Sequence, residues 1–173
     1  AVFRSAMTEM GRWLTYEAIR NDWLPTIDTT VESPLAPCPA SFVNPEKPVM
    51  VIPILRAGLA LMEGVQAALP TASVYHVGFV RNEETLAVSC YLNKLPDQID
   101  PETRVLISEP MLATGGTMMA TMAELVKRGA NPALVRVVSV VTAPPALQKL
   151  AEAFPQLVIY AVIIDEGLDQ NGF

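Results

Sequence analysis

The 173 residues carry 12 Lys and Arg against 18 Asp and Glu, a net charge of −6, with 51% apolar and only 17% charged side chains. A chain of this length and composition folds as one domain around one core rather than remaining disordered. Its acidic balance excludes a general nucleic-acid binder, which needs a dense basic surface, and its longest apolar stretches fall short of the roughly 20 residues that a membrane helix needs.

Residues 5–20 place Met7, Met10, Leu14 and Ala18 along one face and predict a helix. Ile27, Thr29 and Val31 then alternate as in a strand. Pro34, Pro37, Pro39, Pro45 and Pro48 argue against regular structure, so residues 33–48 read as a loop or arm over the domain. Carrying Phe42 and Val43, that arm is a candidate contact with a second copy of the chain. From Val49 the pattern changes. Residues 49–54 form a short continuous apolar run, expected of a strand buried on both faces. A helix over 58–69 and a strand over 73–80 follow. Beyond them come a strand at Val105–Ser108, a helix over 117–128 stopped by Gly129, a strand over 134–141, a helix over 144–154 and a strand over 157–164. Pro144 and Pro145 sit where a helix tolerates proline, in its first turn. This alternation predicts an α/β fold with a mostly parallel central sheet and helices on both faces. Residues 81–95 pair a polar head with an alternating run over 87–92, the pattern of an inserted β-hairpin that is decorative or acts as a lid. One domain is expected over 1–173, with a helix and Pro-rich arm over 1–48 and a core over 49–173.

Cys38 and Cys90 form no metal-spaced pair and no disulfide framework. With no basic-then-apolar leader at the start, a cytoplasmic protein is expected. Both ends read as trimmed, the chain opening on Ala1 and closing on Phe173 just after Gly172.

In open α/β sheets ligands bind where loops leave the carboxyl ends of strands. After Val105–Ser108 the chain reads Glu109-Pro110-Met111-Leu112-Ala113-Thr114-Gly115-Gly116-Thr117 and enters a helix. Gly115 and Gly116 let backbone N–H groups turn inward, Thr114 and Thr117 add hydroxyls, and a helix start favours an anion. Together they make a cradle for a phosphate monoester. It is no Walker loop, which would need Lys before the last Thr. Glu109, ahead of the cradle, can accept hydrogen bonds from adjacent sugar hydroxyls; the plainer alternative is a solvated strand-end charge followed by an ordinary turn. After residues 49–54, Leu55-Arg56-Ala57-Gly58 offers a tight bend and a guanidinium suited to phosphate oxygens. Arg81 heads the hairpin and faces the same choice between an anionic ligand and a surface pair with Glu83 or Glu84. His76 reads as a structural mid-strand residue. Met111, Met118, Met119 and Met122 read as packing residues rather than a cofactor box.

Val51-Ile52-Pro53-Ile54-Leu55-Arg56-Ala57-Gly58-Leu59, Val80-Arg81-Asn82-Glu83-Glu84-Thr85 and Pro110-Met111-Leu112-Ala113-Thr114-Gly115-Gly116-Thr117 resemble, in that order, the motifs of the uracil phosphoribosyltransferases. The resemblance runs from Phe3 to Leu168. It implies a type I phosphoribosyltransferase fold, usually a homodimer or higher homo-oligomer, that converts uracil and phosphoribosyl pyrophosphate (PRPP) to UMP and pyrophosphate with Mg²⁺ carried mainly by PRPP. By the same resemblance, residues 113–117 would hold the ribose 5′-phosphate, Arg56 and Arg81 the pyrophosphate, and Glu109 the ribose hydroxyls.

The sequence departs from the family pattern in two places. The family normally has Asp where Glu109 stands, and the extra methylene is expected to weaken PRPP binding or shift its geometry. After Gly172-Phe173 the family continues into a Pro-Gly-Leu-Gly-Asp-Ala-Gly-Asp loop that reads the uracil edge; we expect that loop to follow in the whole protein. Two rival readings keep the fold: transfer to another base, or a non-catalytic PRPP or UMP sensor. An RNA-binding sensor is disfavoured by the acidic charge.

Overall fold

The computed structural model describes residues 1–47, 49–81 and 88–169, with Arg81 as backbone only. In chain order these form α1 (Val2–Ile19), β1 (Thr26–Glu32), β2 (Pro37–Val43), β3 (Met50–Leu55), α2 (Leu59–Ala68), β4 (Ser73–Val74), β5 (Val77–Arg81) and β6 (Val88–Asn93). Then come β7 (Val105–Ser108), β8 (Met111–Leu112), α3 (Gly116–Lys127), a 3₁₀ turn (Pro132–Leu134), β9 (Val135–Thr142), α4 (Pro144–Ala153) and β10 (Val158–Ile164).

The apolar runs of β3, β7 and β9 make the centre of a sheet ordered β10-β9-β7-β3-β5-β6. Every neighbouring pair along it is parallel except β5 and β6, whose antiparallel pairing corrects the hairpin expected over 81–95. Its first strand is β5, itself a strand of the sheet beside β3, and only β6 falls wholly in the expected stretch. Alternate residues of one strand feed two cores, which is why these strands show no polar face. Met50, Ile52 and Ile54 pack with Met118, Met122 and Leu125 of α3 and Leu150 of α4. Val51, Leu106 and Val138 pack on the opposite side with Met7 and Leu14 of α1 and Leu61 and Val65 of α2. The fold is therefore α/β with helices on both faces of a mostly parallel sheet. Two glycines let α1 and α2 approach closely: a Cβ on Gly11 would run into the Leu61 carbonyl, and one on Gly64 into that of Thr8.

Four further expectations need correction. First, α1 begins at Val2, three residues before the start expected at Ser5. Second, the Pro-rich arm contains a strand. β2 pairs antiparallel with β1 from Thr26↔Val43 to Glu32↔Pro37. Proline is barred from central strands, but Pro37 and Pro39, two apart, put their nitrogens on a single edge, which a two-stranded ribbon can leave outside. Third, the strand expected over 73–80 is two strands. Tyr75 still donates to Val51 O (2.9 Å), whereas His76 lies in the break and accepts from Lys94 N (3.0 Å). Fourth, Met118 and Met122 are core residues as expected, but Met111 is 60% exposed.

No helix among the described residues is long and apolar enough to cross a membrane.

Candidate active site

The chain runs from β3 through α2 to β5 on one side of β3, then returns to place β7 on the other. That reversal leaves a crevice at the carboxyl ends of β3 and β7, the place where open α/β sheets hold ligands. Both loops meet there. Ser108 Oγ at the end of β7 donates to Gly58 O (3.1 Å), and a Cβ on Gly58 would strike Ser108 O and the Ile54 backbone. The Arg56–Gly58 bend is thus pressed against the strand that delivers Glu109. The Leu55–Arg56 peptide is cis.

Glu109 is tied to the sheet by its N–H, which donates to Val138 O (3.1 Å). Only 9% of the residue is exposed, so the solvated strand-end alternative does not hold. Burial pushes its carboxyl up from 4.5 to about 7, against the opposing effect of a hydrogen bond from the Met111 backbone. Pro110 O accepts from Val140 N and Val141 N (2.9 Å each), and Met111–Leu112 adds β8 beside β9. Within this stretch Leu112 points into the core, 3% exposed, leaving Met111 outward.

The turn into α3 has the features expected of an anion cradle. Gly115 is the N-cap at φ 74°, a left-handed conformation in which a Cβ would be strained. No side chain caps the helix, so no side chain occupies the first-turn N–H groups of α3. Thr114 and Thr117 stand half-buried on either side of Gly115 and Gly116. A cleft of about 390 Å³ is lined by Glu109, by residues 111–118, and by Val88 and Lys149. Val88 lies 3.4 Å from where a Gly116 Cβ would be, so the hairpin borders the cradle.

The structure brings Glu109 and the 113–117 cradle into one cleft. Arg56 lines a neighbouring concavity of about 820 Å³ with Leu55, Ala57, Phe79, Val80 and Tyr91. The Arg81 backbone pairs with Val88, the hairpin residue beside the cradle. The Arg81 side chain and residues 82–87 lie outside the described residues. Sequence reasoning missed Val88 and Lys149. Lys149 on α4 donates from Nζ to Thr114 O (2.9 Å), 35 residues away in sequence, and no local pattern announces it.

Sheet order, switch-point crevice and the loop from Glu109 into α3 together match the fold of the type I phosphoribosyltransferases. At the level of fold alone, a hypoxanthine-guanine phosphoribosyltransferase structure from Bacillus anthracis matches with a TM-score of 0.57 at 10% identity, over 95% of this chain and 80% of that one. The family model described as uracil phosphoribosyltransferase matches residues 1–173. The chain is 63% identical over 172 residues to the uracil phosphoribosyltransferase of Nostoc sp. (strain PCC 7120 / SAG 25.82 / UTEX 2576), covering 99% of this chain and 79% of the relative. A solved structure of the AQ2163 protein from Aquifex aeolicus matches with a TM-score of 0.87 at 33% identity, over 98% of this chain and 78% of that one. The chain belongs to the uracil phosphoribosyltransferase family.

Proposed function

We propose that the protein transfers the ribosyl phosphate of PRPP to uracil, giving UMP and pyrophosphate. One observation carries this reading. The uncapped start of α3, the buried Glu109 and the Arg56 bend follow one another along the carboxyl edge of β7 and β3, the order in which PRPP presents its ester, its ribose hydroxyls and its diphosphate. The backbone N–H groups at 114–117 bind the 5′-phosphate, with Gly115 holding the turn that aims them. Glu109 accepts from the ribose hydroxyls. Arg56 and Arg81 neutralise the diphosphate.

The bond from ribose C1 to the diphosphate oxygen breaks, a bond to a ring nitrogen of uracil forms, and that nitrogen gives up its proton. The transition state is an oxocarbenium-like ribose. Fixed geometry at both ends of PRPP and charge neutralisation of the leaving group therefore do most of the work. Mg²⁺ fits this donor set: among the described residues lining the cleft Glu109 is the one carboxylate, and Mg²⁺ keeps substrate oxygens and waters as ligands where few carboxylates are offered. Bound on the diphosphate, it would add positive charge where the leaving group gathers negative charge.

A homodimer through the β1–β2 arm is part of the proposal, supported by Leu35 and Phe42, which are 97% and 51% exposed. Residence in the cytoplasm is supported by Cys38 and Cys90, both free. The test is labelled PRPP and Mg²⁺ offered to the full-length protein with uracil, hypoxanthine, adenine or orotate. Nucleotide should form with uracil and not with the other three; turnover of a different base would contradict the reading.

A further inference from the structure

The cradle that would hold the 5′-phosphate has no cation of its own: from Glu109 to Thr117 the chain carries no Lys or Arg. Backbone amides and hydroxyls alone must meet a dianionic ester in a protein of net charge −6. The structure supplies a cation from elsewhere. A Cβ on Gly115 would lie 3.1 Å from Ala146 Cα and 3.3 Å from Ala146 Cβ, so the turn packs directly on α4. Lys149 stands three residues beyond Ala146, on the same side of that helix. It borders the cleft, is exposed, and donates from Nζ to Thr114 O at 2.9 Å. It makes no ion pair among the described residues. One carbonyl uses one of the three N–H donors of an ammonium and none of its charge.

We propose that Lys149 is the cation of the phosphate cradle: it holds the Thr114 carbonyl and extends its remaining donors to the 5′-phosphate when PRPP or UMP binds. This deepens the phosphoribosyl reading and rests on it. Lys149 is a binding residue for the ester end of the substrate. It takes no part at ribose C1 or at the diphosphate, the end of PRPP that Arg56 would hold. Nothing in the motif from Pro110 to Thr117 encodes it, so its contribution is set by how closely α4 packs on Gly115.

The experiment is calorimetric titration of the full-length protein and of Lys149→Met and Lys149→Arg with ribose 5-phosphate and, separately, with magnesium pyrophosphate, each at low and high salt. Lys149→Met should weaken ribose 5-phosphate about tenfold, as expected for losing a hydrogen bond from a charged group. Its affinity for magnesium pyrophosphate should stay unchanged. The salt dependence of ribose 5-phosphate binding should flatten, because one screened attraction is gone, and Lys149→Arg, which keeps the charge, should restore most of both effects. Equal ribose 5-phosphate affinity in Lys149→Met and the parent would overturn the inference alone. Weakened binding with an unaltered salt dependence would also overturn it, showing that Lys149 acts only by holding the turn. No binding of ribose 5-phosphate by the parent would overturn the phosphoribosyl reading beneath it.

Discussion

Burial at the end of β7 pushes the Glu109 carboxyl up to about 7, with a hydrogen bond from the Met111 backbone opposing the shift. Ribose hydroxyls donate, so they need the ionised carboxylate as acceptor. PRPP affinity should therefore rise between pH 6 and 8, with a proton released on binding near neutrality, and calorimetry in buffers of different ionisation enthalpy reads both. Glu109→Gln should lose the part of this dependence that belongs to the protein; an identical pH profile in parent and variant would contradict the assignment. The stability effect runs the other way. A carboxyl whose folded-state value lies above its unfolded value contributes fully below the unfolded value, and the contribution is lost as pH rises from about 4.5 through about 7. The unfolding free energy from urea titration should accordingly fall between pH 5 and 8 in the parent relative to Glu109→Gln, by about 3 kcal/mol at pH 8. The longer acid also bears on substrate geometry: Glu109→Asp should lower the KM for PRPP, and an unchanged or higher KM would refute that expectation. Sequence placed this acid at the right strand end, but its burial is a tertiary property that no neighbour in the chain foretells.

Elements differ in how plainly the chain spells them. β3, β7 and β9 are short aliphatic runs buried on both faces, and helices with one apolar stripe separate them, so the parallel framework was readable from periodicity. β2 was not, because proline penalises a strand only when both edges are paired, and pairing is invisible in sequence. Nor was the break at Tyr75 and His76, where Tyr75 donates to Val51 of β3 on one side and His76 accepts from Lys94 on the other. The cradle was legible through Gly115, whose φ of 74° the Gly-Gly pair anticipates, whereas Lys149 needed the packing of α4. Gly115→Ala should cost about 1–2 kcal/mol in left-handed strain and raise the KM for PRPP, since the turn that aims the amides must shift. Gly64→Ala acts on the α1–α2 contact instead. It should destabilise the fold by about 1–3 kcal/mol through overpacking, read as a lower urea midpoint, with the KM of the remaining folded enzyme unaltered. A raised PRPP KM in Gly64→Ala and an unaltered one in Gly115→Ala would reverse the roles given to these two glycines.

At the scale of the whole molecule, the candidate site and the proposed interface fall in different parts of the chain. Residues 49–169 provide the sheet whose switch point sets the site, and the β1–β2 ribbon stands apart with Ile27, Leu35, Phe42 and Val43 exposed. If that ribbon closes a dimer, Phe42→Asp should convert a dimer to a monomer in sedimentation equilibrium without lowering the melting temperature of the core by more than a few degrees; a monomeric parent would dismiss the arm as an interface. The measurement that bears most directly on the account is a crystal structure of the full-length protein with PRPP and Mg²⁺. It should show the 5′-phosphate oxygens about 3 Å from backbone nitrogens of residues 114–117, with the ribose hydroxyls on Glu109 and the diphosphate beside Arg56. A 5′-phosphate bound anywhere else, or α3 amides turned away from it, would contradict the account.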